Sequence, residues 1–171
     1  MKKLEEVLDK QTYFFYKRDK LNLIEIDERF KSFYFKPTLF KLKLHQGPTL
    51  LYLFWYVFSF GKYRIFYVTD EESESKEIVH YSNLLPKIFK YEFMEKDDWY
   101  IVNCYTDPLF RGKRLFPFAL SNIGGKFKDR TVWVGAGVKN RPSQKGIERA
   151  GYVFVSRAYK TGFFGIYRLS S

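Results

Sequence analysis

The segment between residues 106 and 120, TDPLFRGKRLFPFAL, contains the residue types that bind a diphosphate. Its centre holds one glycine among three cations, namely Arg111, Gly112, Lys113 and Arg114. An apolar run at 99–105 predicts a buried strand before it, and residues 115–123 predict a helix after it. A helix start offers unpaired N–H groups and a positive dipole end, both of which attract anions. Strand, basic turn and helix together therefore predict an anion site.

Two further side chains have reactive chemistry. His80 follows Val79 in a predicted strand, and its ordinary pKa of about 6.5 suits either a general base or a structural histidine. Cys104 lies in the apolar run at 99–105, which is more typical of a small core residue than of a nucleophile. His45 has no ligand spacing to His80, so the sequence predicts no metal site.

Composition limits the function classes. The 171 residues carry a net charge of +11, with 46% hydrophobic and 21% aromatic residues, which predicts one globular domain over 1–171. Residues 1–62 form its N-terminal part. The positive charge is explained either by dispersed cations that keep the protein soluble or by a phosphorylated ligand. Nucleic acid is the least favoured partner, because the basic residues form no block in the sequence. One cysteine, no signal peptide and no apolar run near 20 residues predict a cytoplasmic protein without membrane insertion.

The apolar and turn patterns predict a chain of mixed elements. Residues 1–12 suggest a short charged helix or a frayed end, and 49–60 a helix, with a strand as the alternative. Predicted strands cover 21–26, 40–44, 63–68, 78–82, 99–106, 131–138, 152–160 and 163–169. Two more helices are expected, one from 115 that ends near Gly124-Gly125 and one between Pro142 and Gly151. The fold class is α/β (α+β), a single mixed, mostly antiparallel sheet flanked by helices.

Two separated segments resemble the GNAT acyltransferase superfamily. Residues 106–113 resemble the end of that fold's fourth strand and its pyrophosphate loop. Residues 140–152, NRPSQKGIERAGY, are similar to the closing helix of that fold. In the family this segment starts with an Asn, has a small residue three positions later and ends with a glycine followed by an aromatic residue. The resemblance covers residues 63–169. The run from His80-Tyr81-Ser82 through Pro86-Lys87 and Phe93-Met94 to the basic turn is similar to the sequences of bacterial members that are associated with surface-glycan gene clusters.

The resemblance implies an acyl-CoA, typically acetyl-CoA, as cosubstrate, and an amino or hydroxyl group of a sugar or sugar nucleotide as acceptor. It assigns cofactor contacts to Cys104, Tyr105, Thr106, Arg111, Gly112, Lys113, Arg114, Leu115, Phe116, Asn140 and Ser143. The pantetheine arm would lie along residues 104–106 and pass through a gap beside the strand at 131–138, whose Gly135 and Gly137 suit such a passage. Candidate catalytic residues are His80, Tyr105 and Ser143. A homodimer is left open.

Three residues depart from the family pattern. Arg114 and Phe116 stand where small residues usually let the backbone approach the pyrophosphate, and Ile147 stands where many members carry an aromatic hydroxyl that protonates the leaving thiolate. Tyr105 and Ser143 are the alternative hydroxyls. The departures keep a second hypothesis open, a non-catalytic CoA- or anion-binding module. The aromatic residues of 52–58 either pack in the core or line an acceptor pocket.

Overall fold

Eight strands form one sheet in the order β2-β3-β4-β5-β6-β1-β7-β8. The structure is a computed structural model that describes residues 12–44, 48–161 and 165–170. The strands are β1 Thr12–Arg18, β2 Phe30–Phe35, β3 Arg64–Asp70, β4 Ile78–Pro86, β5 Trp99–Thr106, β6 Val132–Gly137, β7 Tyr152–Thr161 and β8 Ile166–Leu169. The helices are α1 Thr49–Phe58, α2 Leu115–Lys126 and α3 Arg141–Arg149, with a 3-10 turn at Pro108–Phe110.

The sheet is mixed and mostly antiparallel, as predicted. Among its described strand pairs, β5 and β6 run parallel and every other pair runs antiparallel. Helices cover both faces. On one face α2 and α3 bury residues such as Leu120 and Ile147, and on the other α1 buries Tyr52 and Trp55. The flanked sheet confirms the predicted fold class.

The predicted strands at 21–26 and 40–44 are wrong. The N-terminal strands are β1 and β2 instead, and residues 21–27 form no ladder. Leu21 and Leu23 are exposed, so the alternating pattern there does not mark a buried face. The segment is held by contacts to loops and helix ends, including a bond of 2.9 Å from Asn22 Nδ2 to the Arg149 carbonyl. Residues 38 and 41 form one isolated bridge.

Helix α2 ends at Lys126, one residue beyond Gly125, which confirms the predicted end near Gly124-Gly125. The side chain of Arg18 lies against this end of the helix. Its guanidinium donates to the carbonyls of Gly124, Phe127, Lys128 and Arg130, which closes the carboxyl end of α2. A Cβ at Gly124 would lie 3.0 Å from Arg18 Cδ, so the glycine allows the close approach of Arg18 to this end of the helix.

The remaining elements agree with the sequence to within a few residues. α1 begins at Thr49 as predicted and ends at Phe58, two residues early, so the helix alternative is confirmed over the strand. α3 spans Arg141–Arg149, and β3 and β4 form the predicted hairpin. The predictions for residues 1–11, for His45 and for the turn at Gly162 lie outside the described residues. No described helix is long and apolar enough to cross a membrane.

Candidate functional site

The basic turn, residues 111–114, follows the end of β5 through one short 3-10 turn. Asp107 starts that turn, because its carboxylate accepts a hydrogen bond of 2.9 Å from the Leu109 N–H. Asp107 N–H donates to the Val79 carbonyl at 2.9 Å, which ties the segment to β4. Arg111 Nε reaches back to the Thr106 carbonyl at 3.4 Å. The cations of this turn are thus exposed on a segment whose base is fixed to the sheet.

The backbone N–H groups of residues 112–116 are unpaired among the described residues. Within the described chain, none of them donates to a backbone carbonyl or a side chain, and the first bonded N–H is that of Phe118, 3.0 Å from the Arg114 carbonyl. Pro117, which has no N–H, lies between them. Unpaired donors at a helix start carry partial positive charge. The turn therefore combines five free donors with three exposed cations.

Arg114 has the backbone conformation of a glycine. Its φ of 62° and ψ of 13° place it in the left-handed region at the N-cap of α2, and Gly112 also has a positive φ of 80°. Phe116, the second departure from the family pattern, does not fill the turn. Its ring packs against α3, where a Cβ on Gly146 would lie 2.8 Å from Phe116 Cδ1. The bulky residues at 114 and 116 are accommodated without closing the turn.

β5 and β6 separate beside the turn. Their pairing consists of Trp99 with Val132, Tyr100 with Trp133 and Ile101 with Val134, and then stops. We call the gap beyond the last of these pairs the β5–β6 opening. Backbone groups of β5 that face it have no β6 partner. A Cβ at Gly137 would meet no atom within 4 Å, so this residue borders open space. At Gly135 a Cβ would lie 2.6 Å from Tyr100 Oη, so the core requires a glycine at this position.

A bulge in β5 lies at this opening. Between the pairs Tyr81–Tyr105 and Asn83–Val102, one residue of β4 lies opposite two residues of β5. The extra residue accompanies a positive φ of 51° at Asn103. Asn103 Nδ2 donates to Tyr52 Oη at 3.2 Å, and Asn83 Nδ2 donates to the Asn103 carbonyl at 3.1 Å. Side chains of α1 and β4 therefore hold the bulge in place.

His80 lies in a buried polar row that crosses β4 and β5. Its Nδ1 is 2.7 Å from Thr106 Oγ1 and its Nε2 is 2.9 Å from Ser82 Oγ. Burial lowers the pKa of His80 to about 3. Both ring nitrogens are occupied and the imidazole is neutral, so of the two roles kept open the geometry favours the structural one.

Cys104 belongs to the same row and packs against the core under α2 and α3. Burial raises the pKa of its thiol to about 12, against a smaller opposing effect of a hydrogen bond with Ser82. A protonated, partly buried thiol is a poor nucleophile. This agrees with Cys104 as a packing residue beside the opening.

The other two catalytic candidates lie on opposite faces of the sheet. Tyr105 is exposed at the β5–β6 opening and stacks on Tyr81 with ring centroids 5.5 Å apart, on the α1 side. Ser143 lies in the first turn of α3 on the other face, where its N–H donates to Asn140 Oδ1 at 3.2 Å. Asn140 therefore uses its side chain to cap α3. The structure brings Cys104, Tyr105 and Thr106 to the opening and residues 111–116 to its end.

Gln144 and Asn103 were not singled out from the sequence. Gln144 is buried, and its Nε2 donates to the Gly137 and Val138 carbonyls at 3.0 and 2.8 Å, which fixes the end of β6 beside the opening. An asparagine inside an aromatic strand was the available signal for Asn103, because Asn is depleted in strands and tolerates positive φ.

A cleft of about 370 Å³ adjoins the basic turn. Residues 112–114 form one wall and residues 25–27 with Phe30 form the other. Lys113 Nζ lies 6.0 Å from the centroid of the Phe30 ring. The cleft thus offers an aromatic ring, carboxylates and cations within one space. Among the described residues, no group of three or more His, Cys, Asp or Glu side chains is arranged to hold a metal.

The fold is similar to solved structures of GNAT proteins. A GCN5-related N-acetyltransferase from Sphaerobacter thermophilus matches with a TM-score of 0.62 and 11% identity, over 92% of this chain and 54% of that one. A tandem GNAT protein from the clavulanic acid biosynthesis pathway matches with a TM-score of 0.57 and 11% identity, over 86% and 51%. A functionally unknown conserved protein from Staphylococcus epidermidis matches with a TM-score of 0.57 and 11% identity, over 90% and 63%.

These matches show a GNAT-like fold. The chain spans about half the length of the first two proteins. No protein-family model matches the chain, and no curated protein sequence matches it.

Proposed function

We propose that this chain is an acyl-CoA-dependent acyltransferase that transfers an acetyl group directly to an amino or hydroxyl acceptor. The observation that carries the proposal is the continuity of the β5–β6 opening with the basic turn. A strand with unpaired backbone groups leads, within five residues, to free N–H donors and three cations. An extended arm that ends in a diphosphate matches this order of groups, and acyl-CoA has both parts.

The basic turn would hold the diphosphate on the N–H groups of residues 112–116, with Arg111, Lys113 and Arg114 as counter-charges. The cleft between residues 25–30 and 112–114 has the size and chemistry for the nucleotide end, because it offers an aromatic ring and both signs of charge. The pantetheine arm would lie along Cys104 to Thr106, with Asn140 and Ser143 across the opening at the start of α3.

Transfer by this site needs an acceptor within about 3–3.5 Å of the thioester carbon and a polarised carbonyl. Backbone N–H groups of β5 that face the β5–β6 opening can polarise the carbonyl oxygen. Tyr105, exposed at the opening, is our candidate for the hydroxyl that protonates the departing thiolate, because Ile147 is fully buried and has no proton to donate. Ser143, on the opposite face, is the alternative donor.

We propose a hydroxyl-rich acceptor such as an amino sugar or sugar nucleotide. The solvent-accessible groups that line the α1 side of the opening include one amide and two phenols, namely Asn103, Tyr81 and Tyr105. Neutral hydrogen-bonding groups beside aromatic rings suit a sugar. A polyamine would instead be matched by carboxylates.

Calorimetry with acetyl-CoA at low salt tests the cofactor, and thiol release with glucosamine, a nucleotide-linked amino sugar and spermidine tests the transfer. We expect acetyl-CoA binding and faster thiol release with a sugar acceptor than with spermidine. No binding of acetyl-CoA would contradict the central proposal. Equal release with spermidine would contradict the acceptor class alone.

One observation favours a second function, a non-catalytic CoA-binding module. Ile147 replaces the usual proton donor and is buried against the sheet rather than exposed in the site. Tight acetyl-CoA binding with no thiol release above the buffer rate, for any acceptor in the panel, would favour this function over transfer.

A further inference from the structure

Helix α1 is apolar on every side although one side faces solvent. Its ten residues, TLLYLFWYVF, include no charged side chain. Tyr52 and Trp55 are buried against the sheet, and the opposite side carries Leu50, Leu53, Phe54, Val57 and Phe58, which we call the outer face of α1. A surface helix normally has a polar outer side, and a helix that is apolar all round is normally buried. The outer face therefore has the composition of a covered surface.

The outer face of α1 continues onto a neighbouring loop. The Phe58 and Phe89 ring centroids lie 5.2 Å apart, and those of Phe54 and Phe58 lie 4.4 Å apart. Leu50 is 77% exposed, Val57 55% and Phe89 40%. Phe60, just beyond the helix, is also exposed. Contiguous exposed apolar side chains of this kind mark an interaction surface rather than scattered surface residues.

Cations lie at the edge of this surface. Lys90 Nζ is 4.9 Å from the centroid of the Phe54 ring. Burial, and after it the charge of Lys160, lowers the pKa of Lys90, so two ammonium groups face the same region. Lys62, four residues after the end of α1, and Lys87, two residues before Phe89, are also exposed. The nearby acid Glu92 is paired with Arg168 at 3.7 Å.

We propose that the outer face of α1, with Phe89, binds the surface of an anionic lipid membrane. Apolar side chains would enter the boundary between headgroups and acyl chains, and the lysines would meet the anionic headgroups. The helix is about 15 Å long, so it lies on the membrane and does not span it. A second copy of the chain is the less suitable occupant, because a symmetric contact would bring the same lysines together.

Vesicle flotation of the full chain tests the proposal. The probes are vesicles of phosphatidylglycerol and phosphatidylcholine at equal amounts, and vesicles of phosphatidylcholine alone. The variant is Leu50→Glu/Val57→Glu. Its matched control is Leu23→Glu/Val153→Glu, which makes the same two substitutions at sites that are 85% and 46% exposed and lie outside α1 in the chain. Both double variants change the net charge by the same amount, so a difference in vesicle binding between them does not come from net charge.

We expect binding to the anionic vesicles, at least tenfold weaker binding to phosphatidylcholine alone, and at least a tenfold loss in the α1 variant relative to its control. Circular dichroism and acetyl-CoA binding report whether the variant is folded. No flotation of the wild-type chain, or equal losses in the two variants, would overturn the proposal. A concentration-dependent dimer that the α1 variant abolishes would assign the surface to a second copy instead.

Discussion

His80 Nδ1 and Thr106 Oγ1 lie 2.7 Å apart and join β4 to β5 at the residue where β5 ends. The same imidazole contacts Ser82 Oγ at 2.9 Å, so a neutral ring fills a polar gap inside the sheet. A buried polar group must keep its partners, because an unpaired one costs about 1–3 kcal/mol. The pair therefore fixes the last residue of β5 just before the basic turn.

This contact predicts a pH dependence of stability. Burial lowers the pKa of His80 to about 3 in the folded state, against about 6.5 in the unfolded chain. The unfolded state binds the proton first, so the contribution of His80 is complete above pH 6.5 and is lost as the pH falls towards 3. The loss reaches about 1.4 kcal/mol per pH unit.

Urea unfolding of the wild type and of His80→Gln between pH 7 and 5 measures this loss. The difference between the two free energies of unfolding should shrink as the pH falls, because only the wild type loses stability through this ring. A difference that stays constant over that range would show that His80 titrates normally. Carboxylates titrate in both proteins and cancel in the comparison.

Arg18 predicts a second effect on stability. Its guanidinium donates to four carbonyls at the end of α2, and hydrogen bonds from charged groups contribute more than neutral ones. Arg18→Ala should lower the free energy of unfolding by about 2–4 kcal/mol, since the carbonyls lose their donors together. Lys20→Ala, also near the end of β1 and exposed, is the control and should cost less than about 0.5 kcal/mol. Equal effects in the two variants would contradict the capping role.

Arg18 also shows why parts of the fold were not predictable. The sequence predicts helices and strands where the pattern is local, as in the β3–β4 hairpin, α1 and α3. The Gly-Gly pair predicts that α2 ends nearby, but the Arg18 side chain that closes this end is 106 residues away in the chain. The strand predicted at 21–26 failed for the same reason, because loop contacts to residues such as Arg149 decide that segment.

Arg114 offers a test that separates charge from backbone conformation. Arg114→Ala removes the guanidinium and keeps a side chain at a φ of 62°, whereas Arg114→Gly removes both the charge and the conformational cost. Both variants should weaken acetyl-CoA binding by about 1–3 kcal/mol if the guanidinium meets a phosphate, and Arg111→Ala should do the same. The glycine variant should be the more stable by about 0.5–1 kcal/mol.

Calorimetry and urea unfolding measure the two quantities independently. Arg149→Ala, which removes an exposed cation from the end of α3, is the control for net charge. Unchanged affinity in both Arg114 variants would mean that this side chain points away from the ligand and that the N–H groups act without it.

Cys104 should be dispensable for transfer. Burial raises the pKa of its thiol to about 12, so the thiolate needed for covalent catalysis is scarce at neutral pH. Cys104→Ala should keep at least a third of the wild-type turnover and lose about 1–2 kcal/mol of stability through the smaller side chain. Mass spectrometry after mixing with acetyl-CoA should find no acetyl group on the protein. An acetylated Cys104 together with an inactive variant would replace direct transfer by a two-step mechanism.

The site was predictable where its chemistry is local and unpredictable where it depends on register. The basic turn could be found from the sequence, because strand, glycine, cations and helix follow one another directly. Asn103 could not, since its role depends on one extra residue in β5 relative to β4 and on a tyrosine in α1, 51 residues away. Gln144 was equally hidden, because a polar residue inside an amphipathic helix gives no sign that it closes the end of β6.

Tyr105 is our candidate proton donor, and its removal should affect catalysis without affecting cofactor binding. The phenol is exposed at the β5–β6 opening, and its ring is held by stacking on Tyr81. General acid catalysis contributes roughly 10²–10⁴-fold, but the thiolate leaves without much help because a thiol pKa is near 8.5. Tyr105→Phe should therefore lower kcat by about 10–100-fold, below or at the bottom of that range, with the KM for acetyl-CoA unchanged.

Tyr159→Phe is the matched control for Tyr105→Phe, because Tyr159 is 40% exposed against 42% for Tyr105 and lies on β7, far along the sheet from β5. Its kcat should stay within twofold of the wild type. Ser143→Ala completes the test, since Ser143 reaches the opening from the other face of the sheet. A large loss of kcat in Ser143→Ala with none in Tyr105→Phe would move the proton donor to α3. No loss in either variant would mean that water protonates the thiolate and that the site acts by binding and orientation alone.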